Sequence, residues 1–388
     1  FGGFNQMVSE SSLISMFIKR MDANICIDSD SALYGCGDRN YWHYKIRDFP
    51  SIILQQGVEA NVRYDKRHLD HNYRKLGEAA LNFWSHRALR HHSFEEYYPF
   101  ENGYPPLAFS TLSTCRLITL LEVDIDSIDG LQQALSTASK QLMRRIEGEA
   151  LNQYAAGVAA LAHLAQLQVK MVDTETLDKH ITRLLSFQVS EGWFPEYGGF
   201  DLGYLSVTID CLWDLYDVHP DPEILVAIKK AASFIASVTS IGRISFGKLN
   251  SRNTDYIVPY GLVRLSQVHD CAMLRSLVQR IYKNLTLYYS LDDRYLMHYI
   301  GLSFIRAHDI YHCDDYNGSL PDNMNNGPQS LPNSGLVKCV YRGKNAWLNI
   351  NKGVVCSAQH SDWGLRFYYR NRCYETGVVP YLKGKQCE

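Results

Sequence analysis

Apolar residues recur at helical spacing through most of the chain. The window 131–147 (LQQALSTASKQLMRRIE) carries them every three to four positions, and 150–169, 176–188, 224–238 and 272–289 do the same. That period predicts helices, and the short Gly- or Pro-bearing stretches between them predict tight connections. Strand-like text is weak before residue 317. Residues 317–335 (NGSLPDNMNNGPQSLPNSG) then turn to Asn, Gly, Pro and Ser, the composition of a linker. Short β-type runs follow at 337–341, 346–350 and 353–358, with aromatic, strand-like text over 363–381. The pattern predicts a helical domain over 1–316, a linker over 317–333 and a small antiparallel β region over 334–388. A β region of that size is thin for an independent sandwich, so it either packs on the helical domain or opens a longer module.

The helical part contains a loose internal repeat. Segments 92–111, 191–210, 251–265 and 291–305 each place acids and tyrosines just before an apolar helix, and 38–58 and 148–164 do so more loosely. Their spacing of roughly 40–60 residues is the length of a helical hairpin. Each unit would end an outer helix, cross a polar aromatic loop and start an inner helix. Six units close an (α/α)6 toroid with every polar loop on one face, around a cleft. An open α-solenoid is the alternative arrangement.

Composition narrows the function. The chain has 388 residues, 46% hydrophobic and 21% charged, and a net charge of -2. That balance excludes global disorder and argues against nucleic acid as the main partner, since phosphate binding needs a cationic surplus. No stretch is long and apolar enough for a membrane helix. No signal peptide is legible in a chain that starts at Phe1, so the expectation is a soluble protein of either cytoplasm or periplasm. Tyrosine, at 26 residues, is abundant, which suits carbohydrate stacking and a helical core alike. The ten cysteines are scattered without a CxxC pair, which favours reduced thiols over a metal site, with one or two bridges left open among the last four. GxSxG, Walker and GxGxxG motifs are absent, and His312–Asp315 reads as a polar loop, so neither metal nor cofactor is expected.

Candidate chemistry sits in the polar loops. Glu95, Glu96 and Glu101 crowd around Tyr98, which Pro99 keeps out of a helix; crowding raises carboxyl pKa values. The group suits an acid/base cluster or an acidic helix start. Trp193 beside paired glycines would give a flat stacking surface, with Tyr197, Glu196, Asp201 and Tyr204 nearby to bond hydroxyls or move protons; the alternative is a loop packed by Trp193 and Tyr197. In residues 251–256, Arg252 can fork onto a carboxylate, Asn253 can donate to the same group, and Tyr256 can give or take a proton. Ser251, Asn253, Thr254 or Asp255 can equally cap the next helix. Asn152 and Gln153 open an Ala-rich helix, as substrate contacts or caps. His43, flanked by Trp42 and Lys45, and His298 are candidate bases, though a lone His is as often structural.

Five of these segments, in order, resemble the helical region of heparinase II/III-like proteins: YWHYKIRDFPS, SFEEYYPFEN, GEALNQYAAG, EGWFPEYGGFDLGYLSVTID and SRNTDYIVPYG. SGLVKCVYRGKNAWLNINKGVV resembles the start of the β-sandwich that follows the toroid there, and the resemblance spans roughly residues 35–360. It implies an (α/α) toroid with a polysaccharide cleft, and an alginate- or heparin-lyase type of β-elimination on a uronic-acid glycan. Arg252 and Asn253, with Asn152 and Gln153, would neutralise the uronate. Tyr256 or Tyr98 would be the acid/base, with His43 or His298 as second base. Trp193, Tyr197, Asp201, Tyr204, Trp42, Lys45, Glu101 and Asp255 would contact the glycan. One departure stands out: lyase clefts are usually basic, whereas these loops hold Glu95, Glu96, Glu101, Glu196, Asp201 and Asp255. A polyanion then requires those carboxyls to be protonated or paired, for instance with Arg252 and Lys45. Three other readings stay open: a glycoside hydrolase using Glu96 and Glu196, a uronyl C5-epimerase, and a non-catalytic glycan-binding or assembly protein. The oligomeric state is not legible.

Overall fold

The computed structural model describes residues 9–38, 50–70, 72–90, 94–96, 101–168, 172–239, 244, 246–269, 271–312, 328–341, 344–352, 355–358, 366–368, 379–382 and 385–386. The helices run in order α1 (Glu10–Asn24), α2 (Gln55–Arg67), α3 (Tyr73–Arg90), α4 (Tyr104–Leu121), α5 (Leu131–Arg144), α6 (Leu151–Gln166) and α7 (Thr174–Ser186). They continue as α8 (Leu202–Val218), α9 (Pro222–Val238), α10 (Tyr260–Val268), α11 (Ala272–Lys283), α12 (Asp293–Tyr295), a π-helical turn (Leu296–Ile300) and α13 (Gly301–His308). Side chains set several starts. Asp173, Asp201 and Asp221 accept from the backbone N–H of Thr176, Tyr204 and Glu223, and α4 and α9 carry Pro in their first turn.

Burial separates two kinds of helix. α6 is buried on every side from Leu151 to Leu164 except at Gln153. α5 buries only Leu131, Ala134, Leu135, Ala138, Ser139 and Leu142, one amphipathic stripe. The fully buried helices therefore lie inside and the striped ones outside. α2 packs on α4, α4 on α6, α6 on α8, α8 on α10, α10 on α13, and α13 returns to α2. Between them α3, α5, α7, α9 and α11 cover the outside, and α1 lies against α2 and α13. This is the (α/α)6 toroid expected from the repeat, and the solenoid is excluded by the α13–α2 contact. Close packing of α4 on α6 needs Gly157, where any Cβ would collide with the Tyr104 hydroxyl.

An ionic hub fills the axis of the ring. Arg116 of α4 donates to both carboxylate oxygens of Glu59 of α2 (2.8 and 2.7 Å) and to Asp214 of α8 (2.8 Å). Arg306 of α13 reaches the same Asp214 at 2.5 and 3.2 Å. All four side chains are buried. Burial alone would raise both carboxyl pKa values. Arg306 and Arg116 instead hold Asp214 well below its usual range, and Arg116 and Arg63 hold Glu59 low. A cavity of about 450 Å³ opens beyond the hub toward the C-terminal ends of the inner helices, beside Arg63, His163 and Gln166.

Strands β1 (Gln329–Leu331), β2 (Leu336–Tyr341), β3 (Lys344–Asn349) and β4 (Val355–Ala358) form an antiparallel sheet in that order. β5 (Arg366–Tyr368), β6 (Val379–Leu382) and β7 (Lys385–Gln386) form a second one. The first sheet docks on the toroid. Glu191 accepts from the backbone N–H of Asn333 (2.7 Å) and Ser334 (3.0 Å), Asn349 Nδ2 donates to Leu249 O at 2.8 Å, and Trp347 packs on Phe246. Cys26, Cys36, Cys115 and Cys211 are buried free thiols. Among the described residues no helix is long and apolar enough to cross a membrane, and no His/Cys/Asp/Glu group has a metal-binding arrangement.

Removing one member of the hub strands a buried charge. Arg116→Met is expected to destabilise the fold by about 3–5 kcal/mol, because Glu59 loses its main partner; a urea titration followed by circular dichroism measures it. Both hub carboxyls are depressed, so their stabilisation is complete above about pH 5 and is lost as pH falls through their lowered folded pKa values. The wild type should therefore lose stability progressively below about pH 5.

Candidate active site

Because outer helices return the chain each time, all six inner helices start at the same mouth, and their leading loops bond to one another around it. Leu151 N donates to Pro195 O (3.2 Å) and Ser251 N to Phe200 O (2.9 Å). Tyr260 N donates to Ser303 Oγ (3.0 Å), Ile52 N to Glu95 O (3.3 Å) and Arg145 Nη1 to Asn102 O (3.1 Å). Gln56 Nε2 meets His298 Nδ1 at 2.6 Å, which joins the last loop to the first inner helix. The mouth therefore gathers six helix N-termini, each with partial positive charge.

Tyrosines line one side of this mouth. The hydroxyls of Tyr256 and Tyr299 share a short hydrogen bond. Tyr295 lies 6.1 Å from Tyr256 and 6.2 Å from Tyr299 between ring centroids, and Tyr204 lies 6.2 Å from Tyr299. The π-helical turn widens the helix just where His298 and Tyr299 stand, a local defect common at functional sites. Burial, then the neighbouring Tyr204, raises the Tyr256 hydroxyl well above its usual pKa despite the Tyr299 hydrogen bond. Tyr204 and Tyr299 are raised as well, again mainly by burial. His298 is buried edge-on to Phe109, and burial with the nearby Arg294 lowers its pKa far below the usual value. With Gln56 donating to Nδ1, the ring proton belongs on Nε2.

The other side is acidic and amide-rich. Glu196 is buried, and its pKa is pushed up to about 8, first by burial and then by Asp201, against the opposing pull of Asn152 and Arg252. Asn152 is close enough to favour the charged form, yet Glu196 Oε1 and Asn152 Nδ2 have no hydrogen bond of proper geometry among the described residues. Asp201 caps α8 and holds the next loop, accepting from Tyr204 N (3.1 Å), Arg252 N (3.1 Å) and the Thr254 hydroxyl. Arg252 stacks over the ring of Tyr197 at 4.4 Å, and Gln153 Nε2 donates to the Tyr197 hydroxyl at 3.3 Å. Tyr197 and Asn253 are both left-handed, with φ 51° and 60°, a conformation that Asn adopts readily and that is costly for Tyr197.

Of the residues singled out in the sequence, Glu196, Asp201, Tyr204, Asn152, Gln153, Tyr197, Arg252, Asn253, Tyr256 and His298 stand at this mouth. Trp42, His43, Lys45 and Tyr98 lie outside the described residues. Trp193 is a correction: it is buried, packed on Phe200 and Phe234, with its indole N–H on Glu191 at 2.9 Å. The exposed ring of that loop is Tyr197. Glu96 is ion-paired with Arg294, Glu101 accepts from Glu96 N at 2.9 Å, and Glu95 is buried on Arg87. Asp255 is exposed and directed at Gly247. Tyr295, Tyr299, Gln56 and Arg294 join the mouth without a sequence motif of their own, although the tyrosine-bearing segment 291–305 holds three of them.

Glu196 makes a testable demand. A carboxyl whose folded pKa is raised stabilises the fold below its unfolded value near 4.5, and that stability is lost as pH rises toward 8. Glu196→Gln removes the dependence. Its melting temperature should exceed that of the wild type by at least about 2 °C near pH 9 and equal it near pH 4. Equal melting temperatures at both pH values would show that Glu196 is not held protonated.

No protein-family model matches the chain, and no curated protein does. Solved structures do. The Lin0763 protein from Listeria innocua superposes over 79% of this chain and 99% of its own, with a TM-score of 0.50 at 12% identity. A polysaccharide lyase superposes over 77% of this chain and 98% of its own, with a TM-score of 0.52 at 10% identity. At these identities the likeness is one of fold, and this helical toroid is similar in fold to a polysaccharide lyase.

Proposed function

We propose that this protein is a polysaccharide lyase that cleaves a uronic-acid glycan by β-elimination at the N-terminal mouth of the toroid. The observation that carries the reading is the convergence, at one mouth, of a desolvated tyrosine cluster with Arg252 and Asn253, around a carboxyl held protonated at neutral pH. β-Elimination requires removal of a weakly acidic proton beside the uronate carboxylate. Neutralising that carboxylate lowers the cost, and Arg252, Asn253 and Asn152 offer N–H donors while protonated Glu196 offers an O–H. A base takes the C5 proton, the C5 electron pair forms the C4–C5 double bond, and the C4–O bond breaks with its electrons on the leaving oxygen. Tyr256 is protonated at neutral pH, hydrogen-bonded to Tyr299 and suited to protonate that oxygen. His298 suits donation rather than base work, since its proton is assigned to Nε2. The base role therefore falls to His43 or Tyr98.

Part of the acid in these loops is offset: Glu95 and Glu96 pair with Arg87 and Arg294, and Glu196 is largely protonated. Glu101 and Asp201 accept backbone N–H groups, and Asp255 stays exposed. The six helix N-termini add positive potential. One observation favours a second reading: a carboxyl near pKa 8 also suits the general acid of a glycoside hydrolase. Its natural partner, Glu96, is tied to Arg294. C5-epimerisation begins with the same proton removal, and glycan binding without catalysis would use the same donors.

Incubation with a panel of uronate polysaccharides, read at about 232 nm for the conjugated double bond and in parallel for reducing ends, separates these readings. The lyase reading expects both signals together, with kcat falling about 10²–10⁴-fold in Tyr256→Phe. Reducing ends without the absorbance would assign the hydrolase. Silence in both, across the panel, would end the lyase proposal.

A further inference from the structure

We infer that Lys352, delivered by the C-terminal sheet, is a specificity-determining residue of the cleft that selects carboxylated sugars by completing a cationic clamp with Arg252 around Asn253. The inference rests on the glycan reading above and adds a residue from outside the toroid. The turn after β3 is fixed at both ends. Asn349 Nδ2 donates to Leu249 O at 2.8 Å, and Asn349 Oδ1 accepts from Lys352 N at 3.1 Å. The ammonium is thereby aimed at the loop before α10, where it donates to Asn250 O and, at 2.6 Å, to Asn253 Oδ1.

That loop is itself rigid. Asn250 is buried, its Oδ1 accepts from Leu202 N (3.1 Å), and its Nδ2 donates to Thr254 O (2.9 Å). The Lys352 ammonium is thus held in register with the start of α8, which carries Asp201 and Tyr204.

Donors outnumber acceptors here. An ammonium has three N–H groups, of which two are used among the described residues. Asn253 accepts from Lys352 through Oδ1, which leaves its Nδ2 as a donor without a partner among the described residues. The Arg252 guanidinium stacks on Tyr197 and lies near enough to Glu196 to favour its charged form. Lys352 bonds to Asn253, and Arg252 adjoins Asn253 in the chain, so two cationic residues meet at this loop beside the Asp201 carboxylate, which accepts from Tyr204 N, Arg252 N and the Thr254 hydroxyl. A sugar carboxylate would balance the remaining charge. Asn253 is left-handed, φ 60°, a conformation Asn adopts readily, and it turns the side chain toward Lys352.

The test compares a uronate oligosaccharide with the same oligosaccharide after carboxyl reduction, by calorimetric titration on the full chain. Wild type should prefer the carboxylated form. Lys352→Gln keeps N–H donors for Asn250 O but removes the charge. It should weaken the carboxylated ligand at least about tenfold and leave the reduced one within about twofold. Lys352→Arg should restore most of the preference. In turnover, KM should rise in Lys352→Gln with kcat nearly unchanged. Asn349→Ala controls for docking: a purely structural Lys352 would mimic it, with both ligands weakened equally, and that outcome overturns the inference. Retention of the full preference in Lys352→Gln also overturns it. If wild type binds no uronate ligand at all, the uronate reading itself falls, which is a different result.

Discussion

The toroid depends on the ion pairs at its axis. Glu59, Arg116, Asp214 and Arg306 come from four different inner helices, and each is buried. Two guanidiniums and two carboxylates in a low-dielectric centre are costly to bring out of water, and only mutual contact offsets that cost. Each arginine spans two helices or two carboxylate oxygens, so the hub is satisfied only when α2, α4, α8 and α13 stand at the right separation. Apolar packing supplies most of the attraction between helices but tolerates small shifts. The hub tolerates fewer, and so it specifies how the ring closes.

Ring closure has a consequence for chemistry. Outer helices carry the chain back, so every inner helix starts at one mouth, and that mouth inherits six polar, aromatic leading loops. Their mutual hydrogen bonds make the rim a continuous structure. Within it, burial has opposite uses. It keeps Tyr256 and Tyr299 protonated and Glu196 largely neutral, and it keeps His298 uncharged. Glu196, which would be charged in water, is thus held as a neutral hydrogen-bond donor beside tyrosines whose protons are held more firmly still.

The first sheet takes part in this arrangement. Its contacts fall on Glu191, Phe246, Leu249, Asn250 and Asn253, on the two loops that lead into α8 and α10. A small sheet that would be marginal alone gains a footing there, and in return it braces the loop that carries Arg252 and Tyr256.

Local pattern was enough to place the helices and the polar loops before them, because helical period and turn chemistry are properties of neighbouring residues. The repeat of those loops also implied a ring and a shared mouth, and Arg252, Asn253, Glu196 and Tyr256 were legible as polar and aromatic residues of its loops. What lay beyond the sequence depended on partners far along the chain. Nothing near Arg116 announces Glu59 or Asp214, which lie 57 and 98 residues away. Trp193 reads as a stacking surface until Phe200 and Phe234 are seen to bury it, and Glu96 reads as a free acid until Arg294 is seen to pair with it. Lys352 reads as a turn lysine until the sheet docks. The sequence by itself determined which segments are helices and where polar groups concentrate. Only the tertiary structure decided which of those groups are paired, buried or left open, because burial and ion pairing are set by contacts that no local period encodes.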